Sequence, residues 1–422
     1  MTRTQSQANS ESFFAAACRE PYRVFFPLGI VMGVVGASHW LFFALGWIKT
    51  PSSYFHSSIQ MQGYMACFIF GFLLTAMPRF AQTDSATPLE FTRFFALTVG
   101  ILLGQSFGQL LLAHICFLLL VVNLALFARR RFKTRKTVSP PLDFVWIPIG
   151  ILHAATGSIV FVLHELHLIN PTLLSVAKPM IEQGFLLAVV LGVGGFLGPR
   201  LMGIYQLIKS PETLRMEQVP EVRNKLILQQ FFLGIVLYAT FWMEGHQLQF
   251  WAYSIRALIV TVKLWQAGII RKMPTVPDFY ARLLWVSFWM VLVGSWNAAL
   301  FIPYRIVALH LVFIGGYSLM TFAVATMVIF SHAGEAARLK DPLLVLWVVA
   351  IGVFATVGFR IVAVFLPNSY FNILAIASGF WLLAGISWLI VILPKVIAVP
   401  HGIDFEAQHE AAKRRVLNAH KK

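Results

Sequence analysis

Residues 109–136 read QLLLAHICFLLLVVNLALFARRRFKTRK. An apolar run from Leu110 to Phe127 stops at six cations, Arg129, Arg130, Arg131, Lys133, Arg135 and Lys136. A helix crosses the ~30 Å of bilayer hydrocarbon with roughly 20 residues, so the run is long enough to span. Lys and Arg resist translocation and gather on the cytoplasmic side. The stretch therefore predicts a membrane helix that ends inside.

Similar blocks recur along the chain, separated by short polar breaks. They predict spans at Val24–Trp47, Gln60–Met77, Phe94–Gln105, Gln109–Phe127, Phe144–Leu166 and Met180–Gly203, then at Leu226–Met243, Phe250–Ile270, Tyr280–Phe301, Ile306–Phe330, Leu343–Phe365 and Phe371–Leu393. The third and fourth are short, and the break at 104–108 reads as a kink or a re-entrant bend. Charged residues are 12% of the 422 and hydrophobic residues 58%. A soluble domain carries about 25% charge, so this chain cannot cover a water-facing surface. The expected fold class is all-α, a polytopic bundle of about twelve transmembrane helices with both termini cytoplasmic. Residues 1–403 form one membrane domain and residues 404–422 a short basic tail. Met1 to Glu20 is polar and contains acids, which is not a signal peptide. No acid-poor amphipathic leader precedes the first span, which favours a bacterial inner membrane. No strong tandem repeat is visible.

The net charge of +16 follows from this topology. With the N-terminus inside, outer loops receive Lys49, Lys178 and Arg305. Arg256, Lys263 and Arg360 fall within spans, and the other Lys and Arg lie on the inner side, Lys413, Arg414 and Arg415 among them. The basic runs set topology and face the lipid bilayer, and no nucleic-acid partner is expected. Cys18, Cys67 and Cys116 show no CxxC or zinc spacing and read as small buried spacers.

Histidines are distributed unevenly. His39, His56, His114, His164, His167, His246 and His310 collect at the outer face, while His153 is mid-membrane. His332, His401, His409 and His420 are on the inner side. Imidazole is the commonest metal ligand, and haem iron often takes one or two. An outer histidine layer is what a haem or copper site there needs. Interfacial histidines bonded to water and headgroups give the same pattern, and the layer alone does not decide. His332 lies about 33 Å along a continuous helix from His310, too far to share one metal with it. Lys263 is expected to snorkel inward. Arg256 and Arg360 lie in the histidine layer and are expected to be buried, partnered by a propionate, by Glu182 or Glu244, or by helix-end carbonyls. Gly192, Gly194, Gly195 and Gly198 are expected to permit close helix packing.

Several segments resemble the NnrS family of bacterial membrane proteins. Tyr22-Arg23-Val24-Phe25-Phe26 is similar to its opening "FRPFF", and Gly71 to Pro78 (GFLLTAMP) to its "GFLLTAVP". Gly194 to Pro199 resembles "GGRVIP". His310 to Gly334 resembles a span running from "HALTVGA" to "GHTG", and Arg360-Ile361-Val362 resembles "LRV". Together they cover nearly the whole chain in order. The resemblance implies a haem- and copper-containing protein of about twelve spans, linked to nitric oxide tolerance and often found in denitrifying bacteria. On that reading His56 and His310 are the ligands, His39 is held in reserve, and Arg256 or Arg360 lies near the propionates. The metal candidates are His56, His310, His114, His164 and His332. The chain departs from the family where "HAHEM" becomes His56-Ser57-Ser58-Ile59-Gln60, and where a histidine of the ninth span becomes Phe288. It therefore lacks one metal site of its relatives or recruits His39, His114 or His164 instead.

Three function classes follow. The first is a haem protein that binds a small gas such as nitric oxide or transfers electrons. The second is a secondary transporter, since twelve spans with both ends inside is a common transporter layout. The third is a structural or assembly subunit without a cofactor. No nucleotide loop or nucleophile constellation is present, and no reaction can be assigned.

Overall fold

The structure, a computed structural model, describes residues 12–136 and 140–398. The predicted tail at 404–422 lies outside the described residues, as do His401, His409 and His420. Every regular element among the described residues is helical. A short helix, α1 (Phe13–Arg19), starts where the Ser12 hydroxyl accepts the Ala15 N–H at 3.2 Å. Twelve long helices follow. They are α2 (Tyr22–Ala44), α3 (Ser53–Ala81), α4 (Pro88–Ser106), α5 (Leu110–Lys133), α6 (Leu142–Glu165) and α7 (Pro171–Leu201), then α8 (Pro220–Gly245), α9 (Gln249–Gln266), α10 (Phe279–Leu300), α11 (Ile302–His332), α12 (Leu344–Phe365) and α13 (Pro367–Ile397).

Ten of these described helices, all but α4 and α9, are long and apolar enough to cross a membrane. The other two stand where spans were predicted but carry more polar groups. α4 contains Glu90, Arg93 and Gln105, and α9 contains Arg256 and Lys263. α4 also begins earlier than its apolar run. A capping box starts it at Pro88, with Thr87 bonded to the Glu90 N–H and Glu90 bonded back to the Thr87 N–H. That reciprocal pair satisfies two N–H groups that a helix start leaves open. The break at 104–108 is a tight hairpin. Gly108 adopts φ +68°, and a Cβ on Gly104 would lie 2.8 Å from the Ala113 nitrogen.

The long helices fall into three sequential groups of four: α2–α5, α6–α9 and α10–α13. Within each group the first helix packs on the second and the third on the fourth. The fourth helix of each group packs on the first of the next, α5 on α6, α9 on α10, and α13 back on α2. The chain thus closes into a ring. The second helix of each group carries wide π-helical turns: Ile59–Met65 in α3, Met180–Phe185 and Val190–Gly194 in α7, and Leu311–Ser318 in α11. Such turns are rare and frequently sit at functional sites.

Lipid is as apolar as leucine, so burial in lipid does not drive these contacts; close approach does. A Cβ on Gly157 would lie 2.8 Å from the Ala177 carbonyl oxygen, and one on Gly352 would lie 2.8 Å from that of Phe380. The glycines of α7 serve packing as expected. Gly192 abuts the Asp143 carbonyl and Trp146, and Gly194 and Gly198 abut Phe288.

Candidate functional site

α3 begins at Ser53, a full turn ahead of its apolar run, because the Ser52 hydroxyl accepts the Phe55 N–H at 3.1 Å. His56 is therefore inside the helix, just before its π-turn, rather than outside the span. α11 likewise starts at Ile302 and places His310 immediately before its own π-turn. Each imidazole is fixed by a carbonyl. His56 Nδ1 donates to Gly36 O at 2.8 Å, and His310 Nδ1 donates to Ile306 O at 2.7 Å. A carbonyl only accepts, so Nδ1 carries the proton and Nε2 keeps its lone pair. Neither Nε2 has a hydrogen-bond partner among the described residues. This is the arrangement that second-shell carbonyls impose on metal-binding histidines.

Arg360 on α12 completes the group. It lies within electrostatic reach of both histidines, is 9% exposed, and has a buried Nη1 without a hydrogen-bond partner. No described carboxylate pairs with it; its neighbour is the Tyr370 ring, 5.6 Å from the guanidinium carbon. Trp40 on α2 stands 5.4 Å from His56 and 6.2 Å from Phe371, which walls the site with aromatic rings. Gln60 ties α3 to α2 by donating to Gly33 O at 2.9 Å.

α7 offers a lysine at the corresponding place. Lys178 precedes the first π-turn of α7, lies within reach of His56, and approaches Glu182 at 3.8 Å.

The other predicted residues are placed elsewhere. His39 Nε2 accepts the Ser52 N–H at 2.8 Å, so that lone pair is spent on holding the α2–α3 turn. Arg256 is held by protein partners. It bonds Thr240 Oγ1 at 2.8 Å, Thr240 O at 3.0 Å, Gln183 at 3.2 Å and Glu244 at 2.7 Å. Glu244 is its counterion, one of the partners expected for it. Lys263 does not snorkel; its ammonium is buried on Asp143 and Gln230, both at 2.7 Å.

His114 and His164 form a separate pair between α5 and α6, within electrostatic reach of each other. His114 Nε2 meets the Tyr54 hydroxyl at 2.5 Å and its ring stacks on Phe161. The Nδ1 atoms of both are buried without partners, as are both polar atoms of the Gln105 side chain. His167 and His246 are exposed. Among the described residues no group of three or more His, Cys, Asp or Glu could hold a metal ion. The predicted metal histidines therefore do not converge on one centre.

His332 lies at the opposite end of α11 from His310. Arg79 donates to its Nε2 at 2.8 Å, and its Nδ1 faces Glu20 at 3.0 Å. Both ring nitrogens face protein side chains. Glu20, 3% exposed, also accepts from Arg23 Nε and Arg79 Nη2 at 2.7 Å. Burial alone would raise the Glu20 carboxyl. The hydrogen bond and charge of His332, with the charges of Arg23 and Arg79, outweigh it and hold the group well below the usual carboxylate range. Sequence reasoning missed this buried acid. The available signal was an acid just before a span with Arg23 three residues on.

A family model described as NnrS protein matches residues 16–399. No curated protein matches the chain.

Proposed function

Because this chain belongs to the NnrS family, we propose that it is a haem-binding, multi-pass protein of the bacterial inner membrane. On this reading it spans twelve times, α4 and α9 included, with both ends in the cytoplasm. His56 and His310 would hold the iron through Nε2, and Arg360 would meet a haem propionate. One conjunction carries the reading: two imidazoles locked by Nδ1–H···O=C bonds beside a buried guanidinium with no carboxylate of its own. A buried cation without a counterion is costly, and an anionic group there would relieve it.

When bound, haem supplies one-electron chemistry, or gas binding where an iron position is open. The chain's own residues do the rest. Gly36 O and Ile306 O fix the tautomers, Arg360 offers charge to a carboxylate, and Trp40 and Phe371 keep water out. If both histidines hold the iron, haem would supply electron transfer, so the link to nitric oxide runs through membrane redox chemistry in this reading. Copper, which the resemblance also implies, is not part of this reading.

The test is the visible spectrum of the purified protein, oxidised and reduced, with metal analysis on the same sample. A Soret band with one iron per chain is expected, and His56→Ala and His310→Ala should each lose most of it. Retention of haem in both variants, or a featureless spectrum from folded protein grown with ample haem, would leave a transporter or a cofactor-free subunit.

A further inference from the structure

The second helices of the three groups part company on the inner side of a small polar layer. Tyr64 of α3 meets Ser318 at 2.8 Å and Thr321 at 3.0 Å, both on α11. Beyond that layer α3, α7 and α11 line a half-open apolar cavity of about 110 Å³. Its walls include Phe68 and Leu73 of α3, Val193 and Leu197 of α7, Phe288 of α10 and Ala325 of α11. Phe68, Leu73, Phe288 and Ala325 are buried, while Val193 and Leu197 are half-buried, so the space reaches from the core toward the outside of the bundle.

Thr321 is the one hydroxyl in the wall, and its oxygen is already engaged by Tyr64 and by Ser318 O at 2.8 Å. A buried water needs two to four polar partners, and this space does not supply them. Apolar cavities of about 150 Å³ stay dry and take benzene or xenon. The space is also held open. The π-turn Val190–Gly194 forms part of the wall, and Gly194 and Gly198 present bare backbone to the Phe288 ring, with only 3.0 Å and 2.9 Å available for a Cβ. The ring thus stands wedged against α7, which fixes this wall of the space.

We propose that this cavity binds a small, uncharged, apolar molecule drawn from the bilayer, of the size of a diatomic gas or a very short hydrocarbon. The bilayer concentrates such molecules, and the volume admits only a few heavy atoms. The proposal does not depend on haem and stands whether or not His56 and His310 hold one.

Xenon is the probe. Crystals of the full chain, pressurised with xenon, should show one anomalous peak between Phe68, Phe288 and Ala325. Ala325→Phe on α11 and Val193→Phe on α7 fill the space from different helices, and each should lose the peak. Absence of xenon there in the unsubstituted protein overturns the proposal. So does ordered water or the end of an acyl chain in the same density, or a xenon peak that survives in a well-folded filled variant.

Discussion

At Glu20 a carboxylate that burial would neutralise stays charged, because His332, Arg23 and Arg79 surround it. Its folded value lies below the ordinary value of 4.5, so the stability it contributes is fully present above that pH and is lost as pH falls below it. Glu20→Gln should cost about 3 kcal/mol at pH 7, since it leaves the buried Arg23 without its counterion. Thermal unfolding in detergent checks this. The wild type should lose stability on acidification below pH 4.5, while the variant should be lower at pH 7 and flatter in acid. At the opposite face, Arg360→Gln should lower the midpoint potential of bound haem by tens of millivolts or weaken its retention, because a positive charge near a propionate favours the reduced iron. An unchanged redox titration would remove Arg360 from the site. His56, His310 and Arg360 were legible because histidine and arginine are conspicuous among apolar residues. Arg256 is buried as expected and pairs with Glu244, one of the partners expected for it. Hydropathy gives its depth but not its direction around the helix, and that direction carries it to Glu244.

Helices were legible as elements, their starts less so. An apolar run marks where lipid begins, whereas Ser52 and the Thr87–Glu90 box mark where hydrogen bonding begins, several residues earlier. That difference moved His56 from a loop into α3. The π-turns left no trace in periodicity, since one inserted residue per turn is invisible in a helix that is apolar all round. Packing by glycine was legible in composition, but which glycine is indispensable was not. Gly157→Ala should destabilise by about 1–3 kcal/mol, because its methyl meets both the Ile181 side chain and the Ala177 carbonyl oxygen on α7, and the carbonyl cannot turn aside. The unfolding midpoint of the purified variant measures this, and a wild-type midpoint would mean that α6 and α7 can part without loss.

The whole molecule was legible as a membrane bundle and illegible as a ring. Charge sorting fixes sides but says nothing of which helices are neighbours, and the three groups share element order rather than sequence. The central cavity was equally hidden, since its walls come from helices remote in the chain. The proposed twelve spans with both ends inside make a direct prediction. A fluorescent protein fused after Lys422 should glow and a phosphatase fused there should be inactive; the reverse pattern would place the C-terminus outside and overturn the proposed topology. The ring also has a seam. α13 lies along α2, and Arg23 reaches across to the carbonyls of Val396 and Ala398 at 3.1 and 2.9 Å. During synthesis at about 5–20 residues per second, roughly 345 residues separate the start of α2 from the start of α13. The first helix to enter the bilayer thus waits roughly 17 to 70 seconds for its last neighbour. Through that interval one flank of α2 is open to lipid, chaperone or protease. A nascent chain interrupted just before α13 would keep His56, His310 and Arg360 and still present that open flank to quality control.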